Sequence, residues 1–283
     1  MPRQITQKFF QLLLCCSLLF VLTACGTVVG TNRRQLSLVG DDTINQQALQ
    51  EYNQFMSQAT LSTNSRDTAM VKKVGQKIAK AAQMLMDDYG RGSEIANYSW
   101  EFNLVQSDEA NAFCMPGGKI VVYTGLLPIT KNEAGLATVM GHEVAHALAR
   151  HGAERASDAM AVELGGTILG TVLGASSVSG GNAALIMSAY GIGSQVGVLL
   201  PFSRTHEAEA DRLGLSLMAL AGYDPEEALS FWERMSAVSQ ASGKSTPYFL
   251  STHPSDAARI ANIKSYIPEA RARAVEHHIT MAP

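Results

Sequence analysis

The sequence predicts an α+β fold that is mostly helical, with one small β-sheet. Residues 44–58 and 66–88 repeat apolar side chains at helical spacing, and in the second stretch they form one stripe. Residues 99–106 alternate in the manner of a strand, and residues 118–124 form a second predicted strand that begins at Pro116-Gly117-Gly118. A His-Glu-x-x-His run at 142–146 lies in apolar helix-forming residues, which predicts a buried helix between strands and later helices.

The first 24 residues have the features of a secretory signal, with Arg3 and Lys8 before an apolar run. The alternative interpretation is a transmembrane anchor, but the apolar run is shorter than the roughly 20 residues that a membrane span requires. Leu-Thr-Ala before Cys25 is similar to a bacterial lipoprotein cleavage box, so we expect Cys25 to be acylated and to anchor the chain. Gly26, where an Asp would favour the inner membrane, indicates the periplasmic face of the bacterial outer membrane.

The mature chain divides into a polar tether and one domain. The tether is predicted at 25–43, and the domain comprises N-terminal helices at 44–95, a core at 96–267 and a tail at 268–283. The net charge of −3 becomes about −5 once the signal is removed. The sequence has no basic stretch of the kind that binds nucleic acid, so we do not expect nucleic acid as a partner. Cys114 is the one further cysteine of the mature chain, and we interpret it as a small buried hydrophobe rather than a metal ligand.

The His-Glu-x-x-His run predicts a metal site. Four residues of α-helix are about 400° of rotation, so His142 and His146 project from one face and can hold one ion. Glu143 lies about 100° away, where a general base for an attacking water is needed. The alternative is a solvated helix face, but the apolar surroundings argue for burial, and buried imidazoles need partners.

A catalytic zinc site needs a third protein ligand and an open fourth position. Glu207 is the best candidate, because Asp211 follows it by one helical turn and can accept a hydrogen bond from a ligating histidine. His206 remains a rival third ligand. The other donors lie off the ligand face, lack a paired acid or follow the motif too closely: His151, Glu154, Glu163 and Glu209.

Several ordered motifs together resemble the M48 family of zinc metallopeptidases, the gluzincins that include Oma1-like and periplasmic lipoprotein peptidases. The matching blocks are His142-Glu-x-x-His146 with Glu207-x-x-x-Asp211, then 111–113, 116–126, and 251–255 with Arg259. The resemblance implies a zincin-like domain with one Zn²⁺ per chain.

The resemblance also implies that the edge strand of the sheet lines the active-site cleft. We assign this role to the strand at 118–124, whose main chain at Gly118, Ile120 and Val122 would bind an extended substrate by strand addition. Asn111 and Ala112 are similar to the family's contacts to the substrate backbone. The alternative for 118–124 is a central strand with no such role.

The resemblance places His253 near the metal, where it could stabilise the oxyanion. It could instead occupy the open position of the zinc in a resting enzyme, or be a structural turn histidine. Residues 164–203 carry no charge; we expect buried helices there, with a lid or a membrane-resting hairpin as the alternative.

These features predict a zinc-dependent endopeptidase in which Glu143 is the base and Asp211 supports a ligand. The expected substrates are misfolded or stalled envelope polypeptides, in a quality-control role. Two alternatives stay open: a chaperone or assembly factor for outer-membrane proteins on the same fold, and a different zinc hydrolase. The expected partners are thus unfolded polypeptides, a membrane through acylated Cys25, and outer-membrane assembly machinery as a further candidate.

Overall fold

The computed structural model describes residues 25–172, 203–241, 247–253 and 257–281. Most of the uncharged stretch at 164–203 falls outside them, so the predictions made for it are not addressed. Among the described helices, none combines the length and the apolar character that a bilayer crossing requires. The α+β class is confirmed, since helices predominate and the strands form two small sheets.

The helices agree closely with the helical periodicity of the sequence. The predicted helices at 44–58 and 66–88 run from Asp41 to Gln58 and from Ser65 to Asp88. The helices are α1 Asp41–Gln58, α2 Ser65–Asp88, α3 Leu127–Thr130, α4 Glu133–Leu148, α5 His151–Val172, α6 Arg204–Leu220, α7 Glu227–Ala241, α8 Tyr248–Thr252 and α9 Ala257–Glu276. Single 3-10 turns lie at Gly92–Glu94 and Thr124–Leu126.

The strand assigned to the cleft edge is in fact the central one. The strands are β1 Cys25–Thr27, β2 Arg34–Leu36, β3 Glu101–Val105, β4 Ala112–Met115 and β5 Lys119–Tyr123. β5 pairs with β3 in parallel and with β4 antiparallel, so its backbone groups are used on both sides. The assignment of Gly118, Ile120 and Val122 to substrate binding is therefore wrong for this structure, and β4 is an edge strand instead.

The first part of the predicted tether is instead folded onto the domain. β1 and β2 form an antiparallel pair, and Val28 and Val29 between them are each 1% exposed. We call residues 25–36 the N-terminal hairpin. Acylation of Cys25, the first residue of β1, is untested by these contacts and stays a prediction.

The predicted C-terminal tail is helical rather than irregular. α9 continues through Pro268 to Glu276, and both Ala270 and Ala274 on its inner face are buried. These two alanines are four residues apart and therefore lie on one face of α9, which packs against the rest of the domain.

Helix α4 forms the middle of the core. It begins after Asn132, whose side chain accepts a hydrogen bond from the backbone N–H of Gly135, as expected for an N-cap. Every residue from Gly135 to Leu148 is buried. α2, α6 and α7 surround it, and its contact with α6 is unusually close because Gly141 and Gly214 face each other. The site residues of α4 are thereby fixed against those of α6.

Candidate metal centre

Helices α4 and α6 bring the three predicted ligands together. The Nε2 atoms of His142 and His146 are 3.0 Å apart. The carboxylate of Glu207 lies 3.4 Å from each of these atoms through its two oxygens. All three side chains are buried, as expected of converging donors that share an ion.

His253 completes a group of four donors. Its Nδ1 is 3.2 Å from Nε2 of His142 and 3.0 Å from Oε1 of Glu207. Donors bound tetrahedrally to zinc at about 2.0–2.1 Å are separated from one another by about 3.3 Å. Five of the six donor pairs have a contact of 3.0–3.4 Å, through one or the other oxygen of Glu207, and one donor atom from each residue lies within 4.8 Å of the others. The donor chemistry and spacing therefore fit one zinc ion.

Asp211 lies against His142, the contact expected of a residue that orients a ligand. Its Oδ1 lies 3.0 Å from Nδ1 of His142, on the side of the ring away from the other donors. A hydrogen bond there leaves Nε2 free to ligate and fixes the tautomer. Arg259 holds this carboxylate in turn, with Nε and Nη2 each 2.8 Å from its two oxygens.

Arg259 also contacts the ligand carboxylate, with Nη1 2.7 Å from Oε2 of Glu207. Burial by itself would raise the pKa of Glu207, but the charges of His253, Arg259 and His142 hold it well below its usual value. Glu207 is therefore a carboxylate, the form that a metal ligand requires. The guanidinium of Arg259 also stacks on Trp232, with its central carbon 3.7 Å from the centre of the ring.

Glu143 faces the site without joining the four donors. Burial raises the pKa of its carboxyl above the ordinary 4.5, with the charges of His253 and His142 opposing this. Within the described residues its Oε1 is buried without a hydrogen-bond partner, and Nε2 of His253 lies 3.4 Å away. This position suits a base that acts on a water beside the donors.

The cleft beside these groups is bounded by the edge strand β4. Asn111, Ala112 and Phe113 line it from the sheet side, opposite Glu143 and His253. The backbone N–H of Phe249 donates to the carbonyl of Ala110, so the turn that carries His253 is fixed to the start of β4. Asn111 and Ala112 thus lie at the cleft, and their contact with a substrate backbone stays a prediction.

Cys114 also lines this cleft but is not among the metal-binding donors of the described residues. It is 7% exposed, and burial raises the pKa of its thiol. Its interpretation as a small buried hydrophobe agrees with these observations.

The sequence interpretation missed the residues that hold the ligands from behind. In the sequence Arg259 is only one residue of a motif, and His151 and Glu209 lie off the predicted ligand face. Both of the latter are nevertheless buried, with His151 against His146 and Glu209 against His151. One signal was available, because Glu209 lies two residues from both Glu207 and Asp211. The carboxylate partner of Arg259 and the imidazole partner of Glu209, however, lie 48 or more residues away in the chain.

Comparison with known proteins supports the same assignment. The sequence model of peptidase family M48 matches residues 65–267 of this chain. Mitochondrial metalloendopeptidase OMA1 of Schizosaccharomyces pombe is 35% identical over 86% of this chain and 66% of its own length. The human OMA1 metalloendopeptidase is 30% identical over 85% of this chain and 45% of its own.

A bacterial relative matches over a shorter region. The β-barrel assembly-enhancing protease of Escherichia coli is 31% identical over 62% of this chain and 36% of its own length. The chain thus spans between about a third and two thirds of the length of these relatives.

These relatives contradict the predicted location. The matches that extend over most of this chain are mitochondrial proteins of yeasts, a plant and an animal, and the E. coli protein covers less of it. The features at 22–26 alone therefore do not support a bacterial outer-membrane location.

The family itself follows from the extent of the match and from the ligand geometry. The matched region contains α4, α6 and the turn at His253, and hence all four donors. This chain belongs to peptidase family M48, a family of zinc metallopeptidases.

Proposed function

We propose that this chain hydrolyses internal peptide bonds of unfolded or misfolded polypeptides, using one zinc ion held by His142, His146 and Glu207. The observation that carries the proposal is the convergence of these three donors and His253 within 4.8 Å of one another, with Glu143 buried beside them. Family membership and relatives named as metalloendopeptidases support it.

The chemistry divides between the metal and the protein. Zinc, when bound, supplies a Lewis acid and an activated water near neutral pH. Glu143 takes the proton of the attacking water and passes it to the leaving nitrogen. Asp211 and Arg259 keep His142 and Glu207 oriented throughout, because their contacts lie behind the donors.

The cleft suits an extended polypeptide of unspecified sequence. Within the described residues, the side of β4 away from β5 is not paired with another strand. Main-chain groups along such an edge can bind a substrate strand by backbone hydrogen bonds, which do not depend on its side chains. Asn111 and Ala112, at the start of this strand, are the proposed contacts beyond the scissile bond.

An unfolded substrate distinguishes this activity from that of another zinc hydrolase. We expect zinc-loaded protein to degrade casein, which has little fixed structure, and to spare a tightly folded protein of similar size. A chelator should stop the degradation and added zinc restore it. Hydrolysis of small esters or amides with no cleavage of casein would contradict the proposal.

The physiological role that we propose is quality control, the removal of misfolded or stalled polypeptides. An assembly role is the second candidate, because the E. coli relative is named for enhancing β-barrel assembly. Glu143→Gln separates the two. Assembly that persists in cells carrying only this variant would favour a binding role, and its loss would favour cleavage.

Membrane attachment through acylated Cys25 is a separate part of the proposal. The lipobox-like residues before it support acylation, and the hairpin would then lie directly beside the lipid. Mass spectrometry of the N-terminal peptide of the mature protein tests it. An unmodified Cys25 thiol would contradict membrane attachment through this residue.

A further inference from the structure

A second cluster of charged and aromatic groups lies on the Nδ1 side of His146, whereas Nε2 of this residue faces the metal donors. It consists of Arg33 from the N-terminal hairpin, His151 and Glu154 from α5, and His206 and Glu209 from α6. Arg33 is partly exposed, with 28% of its side chain accessible, and the other four residues are buried. The catalytic steps do not use this cluster, so its composition calls for another explanation.

The cluster connects to a metal ligand through His151. Nδ1 of His151 is 2.9 Å from Nδ1 of His146, and its Nε2 is 3.0 Å from Oε2 of Glu209. A carboxylate only accepts, so Nε2 of His151 donates to Glu209. Nδ1 of His151 is then the acceptor for Nδ1–H of His146, and the remaining nitrogen of His146, Nε2, points at the other donors.

The two ligand histidines are therefore held in different ways. His142 contacts Asp211 directly, whereas His146 reaches its carboxylate through an intervening imidazole. Partners of this kind orient a ligand ring and raise its basicity, and they matter for metal affinity although they never touch the metal.

Glu209 is fixed by the N-terminal hairpin. Nε and Nη2 of Arg33 lie 2.9 and 3.0 Å from its two oxygens, and the hydroxyl of Thr31 donates to Oε1 at 2.7 Å. The same guanidinium contacts both oxygens of Glu154 at 2.6 and 2.7 Å. Burial opposes ionisation, but hydrogen bonds from Arg33 and His206 lower the pKa of Glu154 to about 2, and those from His151, Arg33 and Thr31 lower the pKa of Glu209 to about 2. Without Arg33, two adjacent carboxylates would repel each other, and Glu209 would lose its fixed orientation.

We propose that Arg33 is a positioning residue of the zinc site, acting through Glu209 and His151 on His146. The N-terminal hairpin is then part of the metal centre, although it lies before the region that matches the family. The proposal rests on His146 as a ligand and makes no assumption about the substrate.

The zinc dissociation constant, measured by competition with a chromophoric chelator, tests the proposal on the full-length protein. We expect Arg33→Met to weaken zinc binding by about 10- to 100-fold. Arg34→Met is the matched control, because Arg34 is the exposed next residue and the charge change is the same. Its affinity should stay within about twofold of the unchanged protein.

A spectroscopic readout separates positioning from a general loss of structure. Cobalt(II) in place of zinc absorbs in the visible, and its bands follow the geometry and basicity of the ligands. Arg33→Met should shift these bands, while its circular dichroism stays that of the unchanged protein. Unshifted bands with an unchanged zinc affinity would overturn the proposal, even if thermal stability fell.

The two carboxylates that share Arg33 provide the second comparison. Glu209→Gln interrupts the path to His146, whereas Glu154→Gln removes a partner of the same guanidinium outside that path. We expect the former to weaken zinc binding by at least about tenfold more. The effects of Arg33→Met and Glu209→Gln should also be less than additive in one chain, because both act on one path. Equal effects of the two glutamate variants, or full additivity, would assign Arg33 to hairpin anchoring alone.

Because these measurements report metal binding, they stand apart from the peptidase proposal. A protein that binds zinc with the expected dependence on Arg33 but cleaves no casein would refute the proposed function only. Cleavage that is independent of Arg33, with unaltered zinc affinity, would refute this inference only.

Discussion

Arg259 is the residue on which the charge balance of the metal centre depends. It is 6% exposed and pairs with both Glu207 and Asp211. Two carboxylates this close and this buried need a cation between them, because removing either charge from water is costly without a partner. A single guanidinium thus permits one acid to ligate and the other to orient His142.

Replacement of Arg259 should be among the most destabilising single changes. Arg259→Met leaves Glu207 and Asp211 buried without their shared cation, so we expect unfolding free energy to fall by about 3–5 kcal/mol. Arg212→Met is the comparison, because its pair with Glu269 is more than a third exposed on both sides and is worth about 0–1 kcal/mol. Denaturant titration of the metal-free proteins gives both values. Equal losses of unfolding free energy in the two variants would show that the buried Arg259 pairs stabilise the protein no more than an exposed ion pair does.

Glu143 should be separable from the metal ligands by mutation. Glu143→Gln keeps the size of the side chain but removes its basicity, so turnover should fall by about 10⁴-fold while zinc remains bound. Glu207→Gln should instead weaken zinc binding itself. Metal analysis of the two variants distinguishes these outcomes. Loss of zinc from Glu143→Gln would make Glu143 a ligand and invalidate its assignment as base.

His253 has two possible active-site roles that predict opposite results. As an oxyanion donor, its replacement by Ala would lower turnover by about 10²–10³-fold. As the fourth donor to zinc, its replacement would open that position and raise activity towards unfolded substrates. The spacing of its Nδ1 from His142 and Glu207 favours the second role, so we expect His253→Ala to increase the rate of casein cleavage. A large decrease would restore the oxyanion role, and unchanged kinetics would exclude both.

At the scale of elements, the close contact of α4 with α6 fixes the distance between the histidine pair and Glu207. A Cβ on Gly214 would lie 3.0 Å from the backbone nitrogen of His142 and 3.1 Å from its Cα. Those atoms belong to a buried helix and cannot yield as a flexible side chain would. The absence of a side chain at Gly214 is therefore a requirement of the metal site.

Gly214→Ala should accordingly destabilise the protein, although Ala normally stabilises a helix by up to about 1 kcal/mol relative to Gly. Overpacking of a rigid contact costs about 1–3 kcal/mol, so we expect a net loss together with weaker zinc binding. Gly40→Ala is the control, since its Cβ would meet nothing within 4 Å and should cost less than about 1 kcal/mol. Thermal unfolding and zinc competition measure the two effects. A Gly214→Ala protein that is stabilised, with unaltered zinc affinity, would contradict this account of the helix contact.

The elements that sequence predicted well are those specified by local signals. The apolar stripe of α2 and the apolar surroundings of the His-Glu-x-x-His run in α4 each lie within one helix, and both segments are helical and buried as expected. β4 gave no such signal, because its four residues are all buried and do not alternate. Without β4, the strand at 119–123 could be taken for an edge, and this produced the wrong substrate-binding assignment.

At the scale of the whole molecule, the metal centre is assembled from segments far apart in the chain. The His-Glu-x-x-His spacing predicted His142, Glu143 and His146 because helical geometry brings them together locally. The role of the N-terminal hairpin was not predictable, because its polar composition resembles a tether and its charged partners lie more than 100 residues away. Long-range ion pairs of this kind are visible only once the fold is known.

The central claim is that one zinc ion, held by the α4 and α6 ligands, makes this chain a peptidase. Titration of the metal-free protein with zinc, followed by the rate of casein cleavage, tests it most directly. The rate should rise with added zinc and level off at one equivalent per chain, and Glu207→Gln should require far more zinc to reach any plateau. Cleavage by the metal-free protein, or a plateau at two equivalents, would contradict the account.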